Sequence, residues 1–281
     1  MIKDKKMKAF IIAAGFATRL HPLTLNQPKA LLPIKNKPIL NYIIEKIEKV
    51  PEVDRIYIVS NEKFYLNFKA WLDSNQKNSL KPIFIFNEGS TSAEHQKGVI
   101  DHCVEIMNQD NINDDLLILY GDNFFSLELN KFAEFFKNKR STCLACYALS
   151  ALDEAKKFGN IKIDQNNKII EIKEKPQNPE SNLAVTGIYL IKKDDLNDLR
   201  NFHQKSKKEN KLSTHWSMTY FILDLYLKKD VYAFPFSGDW IDIGSKEDYK
   251  KISSINIVPT LDPMPSIQGD SSQSPAEENK D

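Results

Sequence analysis

Residues 13–33 read AAGFATRLHPLTLNQPKALLP, a stretch whose residue types suit the binding of phosphate. Ala13, Ala14 and Gly15 are small, so backbone N–H groups there can come close to a base or a phosphate. Arg19 and Lys29 add two positive charges beside that backbone, a pair suited to a triphosphate. The stretch is neither a Walker A loop, whose GK[ST] ending is missing, nor a G-x-G-x-x-G fingerprint. Asp122 directly follows an apolar run (LLILY, 116–120), so its carboxylate is expected at the carboxyl edge of a sheet, where open α/β sheets bind ligands. Asp242 lies in a second short apolar segment (WIDIG, 240–244). Two such remote carboxylates can share one Mg²⁺, an ion that takes one or two carboxylates and fills its shell with phosphates and waters. Taken singly, each residue also has an ordinary reading. Asp122 and Asp242 suit turns, Arg19 and Lys29 suit solvated loops, and Lys175 before Pro176 suits the end of an extended strand.

Other chemical motifs lead nowhere. Cys143 and Cys146 form a C-x-x-C, but the surrounding TCLACYAL (142–149) reads as a buried strand, on which residues three apart point to opposite faces. His95 and His102 are seven apart, not at the i, i+4 spacing of a helical metal pair. Trp216, Met218 and Phe221 suit helix packing, and the lysines at 205, 207, 208, 228 and 229 suit solvated helix faces.

Composition narrows the class. The 281 residues are 41% hydrophobic and 27% charged, which excludes collagen-like and disordered chains. Lys and Arg number 39 against 38 Asp and Glu, so no global field draws in nucleic acid or an anionic membrane, and any anion site must be local. Three cysteines without a framework point to a reducing compartment. The basic start is followed by an apolar run too short for a signal peptide, and no run has the length of a membrane span. The expected location is cytoplasmic, with no membrane partner and no nucleic-acid partner.

The elements that must hold these residues alternate. Short apolar runs at 8–13, 55–59, 83–86 and 116–120 read as strands buried on both faces. Helical periodicity follows Pro38, with Ile39, Leu40, Ile43, Ile44 and Ile47 at spacings of three and four, and recurs at 64–72 and 99–107. Residues 15–37 read as a polar, Pro-punctuated loop. The second half follows a different pattern. Residues 161–172 alternate about Asn166-Asn167 and predict a hairpin, 185–191 a strand, and 215–227 a helix. The expected fold is α/β: a Rossmann-like three-layer α/β/α arrangement with a mixed, mainly parallel sheet and a small β-rich sugar-binding insertion. Its expected extents are a flexible N-terminus over 1–6, one domain over 7–255 and a disordered tail over 256–281.

Residues 15–33 resemble the signature of the sugar-1-phosphate nucleotidyltransferases (sugar-nucleotide pyrophosphorylases), roughly G-x-G-T-R-L-x-P-L-T followed by P-K-x-L-x-P. The resemblance continues in order through Gly121-Asp122-Asn123, Glu174-Lys175-Pro176, Thr186-Gly187-Ile188-Tyr189 and Trp240-Ile241-Asp242-Ile243-Gly244, and covers most of residues 7–250. It implies Mg²⁺-dependent transfer of a nucleoside monophosphate from an NTP to a sugar 1-phosphate, giving an NDP-sugar and pyrophosphate. By the same resemblance Ala13, Ala14, Gly15, Ser92 and Gly121 lie along the nucleotide, and Arg19 and Lys29 grip its phosphates. Asp122 and Asp242 hold the metal, Lys175 holds the sugar phosphate, and Gly159, Glu174 and Thr186 line the sugar pocket.

Two departures stand out. Ala17 replaces the usual second glycine, which matters only if the position needs φ > 0. Residues 88–96 (EGSTSAEHQ) differ from the base-contacting motif usual in thymidylyl and uridylyl enzymes, whereas PKALLP looks more like the uridylyl and guanylyl branches. Glucose-1-phosphate thymidylyl- or uridylyltransferase and mannose-1-phosphate guanylyltransferase are therefore the leading specificities. A cytidylyltransferase acting on phosphocholine, with Tyr189, Trp240 and Glu174 around the ammonium, is an alternative. A non-catalytic sugar-nucleotide-binding regulator is another, although it should have lost one of Arg19, Lys29, Asp122 or Asp242. No hexapeptide repeats announce a trimerising β-helix; dimers and tetramers both stay open.

Overall fold

The computed structural model describes residues 6–209 and 217–254. The expected tail, all of the expected flexible N-terminus except Lys6, and His215 and Trp216 lie outside the described residues.

In chain order the elements are β1 (Met7–Ile12), β2 (Pro33–Ile34), β3 (Lys37–Pro38), α1 (Ile39–Glu48), β4 (Val53–Ser60), α2 (Tyr65–Asn75) and β5 (Ile83–Asn87). There follow α3 (Val99–Gln109), β6 (Asp115–Tyr120), β7 (Asn123–Phe125), α4 (Leu129–Lys139), β8 (Cys143–Ala148), β9 (Gly159–Ile163) and β10 (Ile169–Glu174). The last are β11 (Leu183–Ile191), α5 (Leu196–Lys208), α6 (Met218–Tyr226), β12 (Tyr232–Phe236), β13 (Trp240–Asp242) and α7 (Lys246–Ser254). Strand β1 lies between β4 and β6, all parallel, and β5 continues the parallel side beyond β4. Antiparallel β11 joins β6 through Ile188–Ile191 and β9 through its first residues. The β-rich second half is thus an extension of the central sheet.

The core explains why the strands read as continuous apolar runs. Ala9, Ile11, Leu117, Leu119, Cys143 and Ala145 pack on one side of the sheet with α1, α2 and α4. Phe10, Leu116, Ile118, Leu144 and Cys146 pack on the other with α3, α5 and α6. A strand covered on both faces has no polar alternate positions. Cys143 and Cys146 therefore sit on opposite sides of one strand, both buried and unbridged. The stripe on α1 is the expected one, and each such side chain contributes about 1.5–3 kcal/mol on full burial.

Several boundaries differ from expectation. The helix predicted at 64–72 begins with a 3-10 turn over Glu62–Phe64, because the Asn61 side chain caps that turn by accepting from Phe64 N–H at 3.0 Å. The helix predicted from 215 is seen from Met218, preceded by Ser217 in extended conformation. The loop expected at 15–37 contains 3-10 turns at Thr18–Leu20 and Lys29–Leu31 and the small β2–β3 pair. Helix α4 was not expected from the sequence, and α5 only at its last turn, where Lys205, Lys207 and Lys208 read as a solvated helix face; their amphipathic faces bury Phe132 and Phe136, and Leu199 and Phe202.

Candidate active site

The ends of β1 and β6 meet tightly. Gly121 N–H donates to the Ile12 carbonyl at 2.8 Å, and a Cβ at Gly121 would come to 3.0 Å from Ala13 Cβ and 3.1 Å from that carbonyl oxygen. Glycine here lets the two strand ends close on each other, which delivers Asp122 beside the loop that leaves β1. That loop turns through Ala17, whose φ of 48° is left-handed. The position therefore does require φ > 0, and Thr24, fully buried, holds it by donating its hydroxyl to the Ala17 carbonyl at 2.8 Å.

Asp242 reaches Asp122 through a separate two-stranded ribbon. Strands β7 and β13 pair antiparallel with Asp242 opposite Asn123, and Ile243 N–H donates to the Asp122 carbonyl at 3.1 Å. Trp240 Nε1 donates to Asn123 Oδ1 at 2.7 Å, and Asn123 Nδ2 donates to Asp122 Oδ1 at 3.1 Å, which fixes the carboxylate's orientation. Lys29 bridges the two segments, its ammonium 2.6 Å from Asp122 Oδ2 and 2.7 Å from the Ile243 carbonyl. Burial, reinforced by the neighbouring Asp122 carboxylate, holds the Asp242 carboxyl well above the usual range, against the pull of Lys29 and Arg19. Arg19 and Asp248 flank Gly244, 3.9 Å and 3.7 Å from where its Cβ would stand.

Asp248 was not among the residues singled out from sequence. Its signal was the Ser245-x-x-Asp248 capping spacing at the start of α7, and Ser245 Oγ does donate to Asp248 Oδ2 at 2.8 Å. The cluster therefore joins two cations to three carboxylates. No group of three or more His, Cys, Asp or Glu able to cage a metal exists among the described residues. Two neighbouring carboxylates, Asp122 and the largely buried Asp242, nevertheless fit Mg²⁺, which draws its remaining ligands from phosphates and water.

A second group lies along the β9–β10 hairpin. Glu174 pairs in register with Gly159, and its Oε2 is buried with no hydrogen-bond partner among the described residues. A Cβ on Gly159 would stand 2.8 Å from Thr219 Oγ1 and 3.1 Å from Glu174 Oε2. The bare backbone of Gly159 thus lets an acid and a hydroxyl close in on it, two polar groups of the kind that bind a polyol. Tyr120 and Tyr189 stand nearby; burial pushes both phenols up, with Glu174 adding to the effect, so both remain neutral hydroxyls. Thr219 was read from sequence only as part of a packed helix, since nothing in a single sequence aims it at residue 159.

The remaining expected residues are found in different states. Ala13 N–H is committed to the Val59 carbonyl at 3.0 Å. Ala14 is buried and Gly15 exposed. Ser92 Oγ lies 3.1 Å from His95 Nδ1 at the start of a 3-10 turn. Thr186 is buried in β11 and donates its hydroxyl to the Ala145 carbonyl at 2.9 Å, leaving lone pairs rather than a proton for any ligand. Lys175 is exposed on a left-handed residue with φ of 42°, which turns the chain away from β10 just after Glu174.

Residues 8–256 match the nucleotidyl transferase family, and the chain belongs to that family. Among curated relatives it is 31% identical over 252 residues to a Sulfolobus acidocaldarius protein provisionally named a mannose-1-phosphate guanyltransferase, covering 88% of this chain and 62% of that one. It is 32% identical over 246 residues to the bifunctional protein GlmU of Methanocaldococcus jannaschii, covering 86% and 52%. The chain thus spans only about half to three-fifths of the length of these relatives. Among solved structures it is similar to a Bacillus anthracis protein provisionally named a glucose-1-phosphate thymidylyltransferase, determined with sucrose, at a TM-score of 0.73 and 26% identity over 90% of this chain and 97% of that one. No helix among the described residues is long and apolar enough to cross a membrane.

Proposed function

We propose that this chain transfers a nucleoside monophosphate from an NTP to a sugar 1-phosphate, with release of pyrophosphate and with Mg²⁺ as cofactor. The observation that carries the reading is the convergence of Arg19, Lys29, Asp122 and Asp242 at one sheet edge, from segments more than 200 residues apart in sequence. The buried, unpartnered Glu174 Oε2, close to Gly159 and Thr219, supports a neighbouring polyol site.

A phosphate oxygen of the sugar 1-phosphate attacks the α-phosphorus in line, and the bond from that phosphorus to the pyrophosphate oxygen breaks. The nucleophile is an anion at neutral pH, so no general base is required and none of the residues must take a proton. Two polyanions have to meet, so neutralisation and alignment supply most of the rate. Arg19 and Lys29 bind the NTP phosphates and stabilise the departing pyrophosphate. Lys175 holds the sugar phosphate, while Glu174 accepts hydrogen bonds from sugar hydroxyls. Asp122 and Asp242 would hold Mg²⁺, which when bound neutralises phosphate charge and polarises the α-phosphate.

The test is pyrophosphate release by pure protein with Mg²⁺, across ATP, CTP, GTP, UTP and dTTP with a panel of sugar 1-phosphates and with phosphocholine. Release with one NTP and one sugar phosphate is expected, abolished in Asp122→Ala and reduced by about 10²–10³-fold in kcat in Lys29→Gln. Release confined to CTP with phosphocholine would replace this reading by the cytidylyltransferase. NTP binding without turnover on any partner would replace it by a regulator.

A further inference from the structure

We propose that Asn61, which belongs to neither group of the site, is a positioning residue that sets the height of the nucleotide-binding loop; the inference rests on the reaction proposed above. The backbone ladder between β1 and β4 ends where Ala13 N–H donates to the Val59 carbonyl at 3.0 Å. Two residues further along the chain from Val59, the Asn61 side chain takes over from the backbone. Its Nδ2 donates to the Ala14 carbonyl at 2.7 Å, while its Oδ1 accepts from Phe64 N–H at 3.0 Å. The residue is fully buried, so neither bond has water as a substitute. The amide supplies a donor for Ala14 and an acceptor for Phe64 on two separate atoms of one short side chain.

The same junction holds the second loop at this edge. The Ser60 carbonyl accepts from Glu88 N–H at 2.9 Å, and Glu62 N–H donates to the Ser90 carbonyl at 3.0 Å. Phe16, two residues beyond Ala14, packs its ring on Phe64 at 6.4 Å between centroids. The turn from β4 into α2 therefore carries both the loop after β1 and the segment leading to Ser92. Asn61 is the point at which the first of them is fastened by a side chain.

The substitution Asn61→Asp separates fastening from capping. Aspartate is isosteric and caps a helical turn as well as asparagine does, so the Phe64 bond survives. It places a carboxylate oxygen against the Ala14 carbonyl, where an N–H now donates, and the loop must move. Asn61→Ser, which keeps a capping hydroxyl but is too short to reach Ala14, is a second variant that removes the contact without repulsion.

Wild type and both variants would be titrated calorimetrically with ATP, CTP, GTP, UTP and dTTP, each with Mg²⁺, and assayed for KM and kcat on the active pair. The expected result is a KM and Kd for the NTP raised about tenfold, the cost of one buried hydrogen bond. KM for the sugar phosphate should stay unchanged, kcat should remain within about twofold, and both variants should melt cooperatively. Folded variants with unaltered NTP affinity would overturn the inference. So would equal losses for both substrates, which would make Asn61 a general structural residue. Binding of none of the five nucleotides by wild type would instead remove the proposed reaction, and the role of Asn61 with it.

Discussion

Ala17 shows how much one atom can decide in this loop. Its φ of 48° lies where an L side chain costs about 1–2 kcal/mol, and the Thr24 hydroxyl bond helps to hold it there. Glycine would relieve that strain and lose about 0.5–1 kcal/mol through its greater freedom when unfolded. Ala17→Gly should therefore raise the thermal midpoint by about 1–3 °C, read by calorimetry or circular dichroism. A fall would mean that the methyl group's packing outweighs the strain. From sequence, Ala17 was visible as a departure from the family signature, but its cost was not, because a residue type does not report its φ. Arg19 and Lys29 were legible because their charges stand close in sequence to a small-residue turn. Asn61 was not, because its role depends on which carbonyl β4 happens to end beside.

Elements decide which of these residues meet. Asp122 and Asp242 come together because β7 and β13, three residues each, pair with Asp242 opposite Asn123. No period or propensity marks strands that short. The hairpin of β9 and β10 was readable from its alternation and its Asn-Asn turn, and its register places Gly159 opposite Glu174. That register makes a specific prediction. In Gly159→Ala the new methyl would stand 2.8 Å from Thr219 Oγ1, closer than real contacts allow, and 3.1 Å from Glu174 Oε2, which would have to give way. KM for the sugar phosphate should rise about tenfold or more while KM for the NTP stays unchanged, since a local shift perturbs one subsite. A comparable rise in both would mean that the hairpin and the β1 loop move together.

Across the whole molecule, the sheet divides the core into two sides, and the cysteines report on both. Cys143 packs on one side, Cys103 and Cys146 on the other, and all three are fully buried. Burial pushes the Cys146 thiol up to about 12 and the other two at least as far, so none is a thiolate at neutral pH. A disulfide-exchange reagent should label no thiol in the native protein at pH 8 and all three once guanidinium unfolds it. Rapid labelling of even one in native protein would mean that its strand or helix opens locally. The C-x-x-C spacing was correctly separable from a redox pair by strand alternation alone, since alternation is a property of the chain and needs no partner.

Local sterics and hydrophobic periodicity act over a few residues, so the alternation of strand and helix, the apolar stripe of α1 and the ordered family blocks were all legible in the chain alone. Other features came only with the packed fold. It set Asp242 beside Asp122, turned the hydroxyl of Thr186 into the sheet, brought Thr219 to Gly159 and fastened Ala14 to Asn61. Each of those contacts joins residues far apart in the chain, and each rests on a single register or carbonyl direction. Such details are fixed only when the sheet closes and the core is packed on both sides.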